Sequence, residues 1–467
     1  MPYRAQCQVR SIASRGKTPR KSRSPASPLG SNSKPASGRH LAFIHRLNAW
    51  LRDFRWLTAQ RAAFYSGVLL FAYLVAAIGQ LAHSHNLIFK SGAAIGGDFI
   101  SSYAASIAAL KGEAASVYDI HRQHMRQIAV VGGLDFGVLG FYYPPMFLLM
   151  VMPLSMLPLV WSWVVFEAGM LAGYLAVLRR IAPNRLGLWL AITFPAVIIN
   201  FMCGQNGYLT TALIGGGLLL LDRSPLLAGC LFGLMSYKPQ FAVLIPLALI
   251  AGRQWRALAA TAVSATVFAA ASLAVFGLPA WRAFLSSATF IQKTVLEQGG
   301  VKFSLLQSPF GAIRMLGGGV DAAYVVQAMV AIYAAATVVW VWRGNSPFAL
   351  KAATLAAGTL MVSPFVQQYD LVLLALPIAW LAMEGFQKGF RPYEKAILAV
   401  AWILPRISVP TTQSVKISIA PIVITVLMTT ILMRARRGDS AAHTGGADQI
   451  RQGPFETAAI AWQPFAR

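Results

Sequence analysis

Apolar runs separated by short polar stretches recur along most of this chain, from Ala62 to Met433. They fall at about 62–81, 141–178, 187–202, 206–221, 225–251, 257–277, 321–342, 347–365, 368–385, 396–409 and 417–433. Most approach or reach the roughly 17–25 residues that a helix needs to cross about 30 Å of hydrocarbon. The ten-residue alternating segments of a membrane barrel are missing from the sequence, and helices are the other structure that satisfies its own backbone in lipid. The pattern predicts an all-α polytopic membrane protein with about 11–13 transmembrane helices. The run 141–178 reads as two short helices or as one crossing preceded by a re-entrant piece. The run 225–251, interrupted by "YKPQ", has the same ambiguity.

Two longer polar intervals break the pattern, at about 84–140 and 278–320. In the first, Ile100, Tyr103, Ile107 and Leu110 recur at helical spacing, which predicts an amphipathic helix lying on the membrane. Loops of this length between spans usually carry function.

Composition agrees with the pattern: 57% of residues are hydrophobic and 12% charged, against about 25% charged in soluble domains. The net charge of +25 does not point to nucleic acid, because the excess sits in two tails and in short loops. Residues 1–56 contain many arginines and lysines against the single acid Asp53, which places them in the cytoplasm. Rich in Ser, Pro and Arg, this segment is read as a disordered, solvated tail able to meet anionic membrane lipids. An organelle transit peptide and a mis-called start codon are the other readings. The last apolar run ends at "RARR", residues 434–437, so the tail 434–467 is expected to be cytoplasmic too. That leaves a membrane domain over 57–433 with both long loops on the outer face. The three scattered cysteines form no disulfide framework and no metal-ligand pattern, so no cofactor or metal is expected. The lack of cytosolic domains and of disulfides suits a bacterial inner (plasma) membrane.

Polar groups at membrane depth are expensive and tend to be functional. Asp98 in "GGDF" is either a helix N-cap or a carboxylate placed to take a proton from a hydroxyl. Tyr142 and Tyr143 in "FYYPP" fit an interfacial aromatic belt or substrate-lining rings at a sugar entry, with Pro144 and Pro145 at a helix start. Gln205 and Asn206 in "CGQNGYL" read as a turn or as substrate-lining groups. Lys238 in "SYKPQF" needs a partner if it is buried. That partner is either a lipid phosphate or an acid such as Glu167 or Asp370. Gln367, Gln368 and Asp370 in "SPFVQQYDLVLL" fall at a helix boundary, where they can cap helices or bind sugar hydroxyls. His121 and His124 read as solvated side chains. Nucleotide-binding and soluble-hydrolase motifs are missing from the sequence.

Taken in order, "GGDF", "YYPPMFLLMVMPLSMLP", "GQNGYLTTALI", "GCLFGLMSYKPQFAVLIPLAL" and "SPFVQQYDLVLLALP" resemble glycosyltransferase family 87 of the GT-C superfamily, over about residues 62–433. The resemblance implies a GT-C-like helix bundle with two outer-face loops. It implies a polyprenyl-phosphate sugar as donor, a lipid or glycan acceptor at the periplasmic face, and inversion at the anomeric carbon. The transferred sugar is expected to be a hexose, mannose in the best-known members. An acid in the first outer loop serves such enzymes as general base, a place that Asp98 occupies here. Lys238, Lys302 and Arg314 are the candidate donors to the leaving phosphate. Two departures stand out. Asp98 has no acidic neighbour in sequence, and Gln367 and Gln368 stand near the place of a histidine in characterised relatives. A transporter or lipid flippase is the alternative from another class. The absence of an internal repeat in the sequence and the polar groups gathered towards one face argue against it. A catalytically dead scaffold is the third reading. No obligate protein partner is evident in the sequence.

Overall fold

A computed structural model of the chain describes residues 36–85, 88–89 and 94–444. The chain divides into two units, Met1–Ala49 and Trp50–Arg467. Residues 1–35 of the expected tail and 445–467 at the other end lie outside the described residues. The described part of the first unit belongs to helix α1 (Ala36–Asp53). Here the structure departs from the disorder expected over 1–56. Once past Pro35, Leu41, Ile44, Leu47 and Leu51 recur at three- and four-residue spacing, and that periodicity supports a helix.

The described residues of the second unit are helical almost throughout. Helix α2 (Ala59–Ala82) is the first long apolar helix, capped by the Thr58 hydroxyl, which accepts from the Arg61 N–H. A two-residue ladder pairs Ser84–His85 with Ile88–Phe89. Two helices then occupy the first polar interval, α3 (Gly97–Leu110) and α4 (Ile120–Val130). The Asp119 carboxylate caps α4 by accepting from the His121 and Arg122 N–H groups at 3.0 and 3.1 Å. These bonds hold the Asp119 carboxyl below the usual carboxylate range.

The amphipathic surface helix expected around Ile100 forms as α3, but it does not lie on a surface. Ten of its fourteen residues are buried, Phe99 to Ser106 with Ala108 and Ala109. Its small residues permit this burial on nearly every side. The Ser102 and Ser106 hydroxyls donate to carbonyls of their own helix, those of Asp98 and Tyr103, at 3.1 and 2.7 Å. They therefore need no water.

The membrane part follows. Helix α5 (Pro145–Val151) runs through a 3₁₀ turn to Met156, and α6 (Leu159–Ile181) comes next. Twelve residues of helix span only about 18 Å, so 141–178 resolves into a short piece and one full-length helix. A broken pair, α7 (Arg185–Ile192) and α8 (Pro195–Cys203), precedes α9 (Gly207–Leu220). The run 225–251 is α10 (Pro225–Leu234), α11 (Pro239–Ala242) and α12 (Leu244–Ala251), broken at Lys238. Helix α13 (Trp255–Ile291) kinks where Gly277 has φ +73° and Pro279 follows. The second polar interval holds α14 (Pro309–Met315), and α15 (Val320–Arg343) and α16 (Phe348–Val362) come after it. A 3₁₀ turn at Gln368–Leu374 leads into α17 (Ala375–Lys388), then α18 (Glu394–Val415) and α19 (Ala420–Thr444). Among the described residues, six helices are long and apolar enough to cross a membrane, and five apolar helices are shorter.

Small residues set the tightest helix contact. Gly229 and Gly233, four apart on α10, lie against α13. A β-carbon at Gly229 would stand 2.5 Å from the Ala257 carbonyl oxygen, and one at Gly233 would stand 2.5 Å from Ser264 Cβ. Such spacing lets two backbones approach closely in lipid, where dispersion contacts replace the hydrophobic effect as the adhesive. Their neighbours, in ascending order on both helices, show that α10 and α13 run parallel. The chain between them therefore turns back on itself at the Lys238 break.

Candidate active site

Four interruptions of helix meet at one place: Gly96–Asp98, Gly204–Asn206, Lys238 and Gln367–Asp370. Irregular backbone at membrane depth is tolerated only where protein covers it, and here groups of one break meet groups of another. The Gly96 N–H donates to the Met202 carbonyl at 2.8 Å. A β-carbon at Gly204, which has φ +70°, would lie 2.7 Å from Gly96 Cα and from Phe99 Cβ. Glycine is required at this crossing for both conformation and space.

The crossing sets what the Asp98 side chain meets. The N-cap of α3 is Gly96, with no side-chain capping bond, so the N-cap reading of Asp98 does not hold. Its carboxylate faces the other loop, and Oδ2 accepts from Gln205 Nε2 at 2.8 Å. Asp98 is partly exposed. Burial pushes its carboxyl up from the ordinary 3.8 to about 6, against the lowering pull of the Gln205 bond and of the Lys238 charge.

Gln205 is more than a turn residue. Its Oε1 accepts from the Tyr143 hydroxyl at 2.9 Å and from the Asn206 N–H at 3.2 Å. Buried Asn200 holds its backbone. Asn200 Nδ2 donates to the Gln205 carbonyl at 2.6 Å, and Asn200 Oδ1 accepts from the Gly207 N–H at 2.9 Å. Tyr143 is itself fixed, its carbonyl accepting from the Tyr118 hydroxyl at 3.0 Å and its ring 4.4 Å from that of Phe147. Tyr142 is exposed and folds over Gly140.

The alternative partners of Lys238 are resolved in favour of Asp370. Lys238 Nζ lies 2.6 Å from Asp370 Oδ1, with both side chains about 5% exposed or less. A second N–H reaches Asn206 Oδ1 at 3.2 Å, and the ammonium sits 4.9 Å from the Phe241 ring centroid. Asp370 Oδ2 accepts from the Gln367 N–H at 2.9 Å, so one carboxylate caps a 3₁₀ turn and neutralises a lysine. Glu167 is buried on α6 with neither oxygen hydrogen-bonded among the described residues.

Not every predicted residue joins this network. Gln368 turns away, its Nε2 donating to the Pro405 carbonyl at 2.7 Å. Gln367 is tied to the second outer interval through a backbone bridge with Leu306. Arg314 lies beside Phe303, which packs against a separate small core there of Leu296, Leu306, Phe310 and Ala323. Its guanidinium donates to the carbonyls of Gly318 and Glu297 at 2.7 and 3.0 Å and stacks 4.9 Å from the Phe303 ring. Lys302 is exposed. His124 Nε2 lies 3.5 Å from Asp135 Oδ1. Among the described residues no three His, Cys, Asp or Glu side chains group together. Asn200 and Tyr237 are the site residues that the sequence reading missed. Tyr237 meets Thr210 Oγ1 at 2.7 Å. A polar Asn in the middle of "AVIINFMC" was the signal for the first.

Fold and site together define a polytopic helical membrane protein with a buried polar centre built on broken helices. Residues 141–364 match the model of glycosyltransferase family 87. These residues, just under half of the chain, are thus similar to a glycosyltransferase family 87 domain. The matched stretch contains Tyr142, Tyr143, Gln205, Asn206, Lys238, Lys302 and Arg314; Asp98, Gln367, Gln368 and Asp370 lie outside it. No curated protein and no solved structure matches the chain.

Proposed function

We propose that this protein is a glycosyltransferase that moves a hexose from a polyprenyl-phosphate sugar to a lipid or glycan acceptor at the periplasmic face of a bacterial inner membrane, with inversion and with Asp98 as general base. One observation carries the reading. Asp98 presents a partly exposed carboxylate held through one oxygen, with a pKa near 6, a value suited to accepting a proton close to neutral pH. In a single displacement the acceptor hydroxyl attacks the anomeric carbon as Asp98 takes its proton. The bond from that carbon to the phosphate oxygen breaks, and the polyprenyl phosphate leaves with the electron pair.

Geometry supports a donor delivered within the membrane. Helices α9 and α16 have 14 and 15 residues, about 21 and 22 Å at 1.5 Å per residue. Both run between the site and the opposite end of the bundle and fall short of a core about 30 Å thick. A site at their ends lies within reach of a lipid-anchored sugar phosphate. The Lys238–Asp370 pair is neutral as a unit, and its two charges act on Asp98 in opposite senses. Exposed Lys302 on the second outer interval is assigned to the donor phosphate.

The test is lipid and glycan profiling of a deletion strain complemented with the wild type or with Asp98→Asn. A glycosylated lipid or glycan that is lost on deletion, restored by the wild type and not by the variant supports the reading. Restoration by both removes Asp98 as base. Unchanged glycans with altered uptake of a solute favour the transporter.

A further inference from the structure

We infer that Gln205 is a positioning residue for the reaction: its side-chain amide, locked in one orientation by Tyr143 and the Asn206 backbone, fixes Asp98 Oδ2 and leaves Oδ1 to receive the acceptor's proton. This inference rests on the assignment of Asp98 as base and adds how that base is aimed.

The argument begins with the amide itself. A glutamine side chain has one accepting end and one donating end, and which end points where follows from its partners. The Asn206 N–H can only donate, and it lies 3.2 Å from Gln205 Oε1. The Tyr143 hydroxyl donates to the same oxygen at 2.9 Å. With Oε1 committed, the NH₂ group must face Asp98, where Nε2 stands 2.8 Å from Oδ2. The backbone beneath cannot swing, because Asn200 clamps the Gln205 carbonyl and the Gly207 N–H. Gln205 is itself buried, so water does not compete for the amide.

This arrangement has a chemical consequence. Among the described residues, Gln205 is the hydrogen-bond donor to the Asp98 carboxylate. A donor to the ionised form favours that form, whereas a glutamine cannot itself take the proton away. Gln205 therefore keeps Asp98 ionised and aimed without competing as a base. The accepting oxygen is chosen as well, because among the described residues Oδ2 accepts a hydrogen bond and Oδ1 does not.

The test reads Asp98 directly, without any sugar substrate. Full-length protein in lipid nanodiscs is titrated by infrared difference spectroscopy, and Asp98→Asn identifies the protonated-carboxyl band. The wild-type midpoint is expected near pH 6. Gln205→Leu, which removes the donor, moves it up by about one pH unit, the scale of one charge-assisted hydrogen bond. Gln205→Glu, equal in shape, moves it the same way by placing a second carboxyl beside the first. Tyr143→Phe frees one of the two anchors of Oε1 and gives a smaller upward shift. Should Gln205→Leu fail to fold, the isosteric Glu variant and Tyr143→Phe decide the matter. A midpoint unmoved in both of these overturns the inference. Full glycan transfer by Asp98→Asn would sink the base assignment and leave the infrared result standing, so the two failures are distinguishable.

Discussion

Gln205 Nε2 lies 2.8 Å from Asp98 Oδ2, across 107 residues of sequence. The contact exists because two loops cross at their glycines, with Gly204 against Gly96. A β-carbon at position 204 would meet backbone on the opposite loop and demand φ +70° of a residue with a side chain. Gly204→Ala is therefore expected to cost about 1–3 kcal/mol from backbone strain alone, with the clash added. Thermal unfolding of the purified protein measures the loss. Transfer is expected to fall further than stability, because separating the loops pulls Gln205 off Asp98.

With Asp98 as the proposed base, activity and stability oppose each other along the pH axis. Its carboxyl is raised in the folded state from 3.8 to about 6. A raised acid favours the fold while protonated, so its contribution is intact below pH 3.8 and lost as pH rises through about 6. Transfer needs the ionised form and should rise through the same window. Asp98→Asn is expected to abolish transfer yet raise the melting temperature near pH 8, with little change near pH 4. A melting temperature that drops at pH 8 would mean the carboxylate stabilises the fold.

The Lys238–Asp370 pair makes a two-part prediction. Removing one member leaves the other charge buried and alone, which costs about 3–5 kcal/mol. Lys238→Met should thus destabilise strongly, and it should move the acid limb of transfer to higher pH, because the Lys238 charge holds the Asp98 pKa down while Asp370 pushes it up. Adding Asp370→Asn removes both charges and keeps an oxygen for the Gln367 N–H. The double variant is expected to recover much of the stability and to bring the acid limb back towards wild type. A double variant no more stable than Lys238→Met would show that the pair does not act as a unit.

Much of this architecture was legible in the sequence, since apolar run lengths, Pro at helix starts and Gly at breaks act locally. "YKPQ" marked the break at Lys238, and "CGQNG" marked a turn. What was not legible is which break meets which. Lys238 had two plausible acids, and only the packing brings Asp370 rather than Glu167 to its ammonium. Gln205 looked like a turn residue because its partners Tyr143 and Asp98 are 62 and 107 residues away. The burial of α3 was hidden for a related reason. Ser and Ala fit a wetted face as well as a crowded core, so helical spacing alone could not tell the two apart. Nor did the sequence show that Arg314 donates to the carbonyls of Gly318 and Glu297 within its own interval.

A second buried charge cluster offers a way to separate scaffold from site. At the far end of α17, Arg434 Nη1 lies 2.5 Å from Glu394 Oε2, and its Nη2 donates to the Glu384 and Gly389 carbonyls at 3.1 Å each. Lys388 reaches Glu384 Oε1 at 2.8 Å. Arg434 thereby ties α17, α18 and α19 together through a guanidinium that is about 4% exposed. Arg434→Met strands the Glu394 carboxylate and is expected to lower stability by about 3–5 kcal/mol. Because none of these groups contacts Asp98, Gln205 or Lys238, the transfer rate per folded molecule and the infrared midpoint of Asp98 should stay at wild-type values. Pairing the change with Glu394→Gln removes the stranded charge and should restore part of the stability. A shifted Asp98 midpoint in Arg434→Met would show that the two ends of the bundle are coupled.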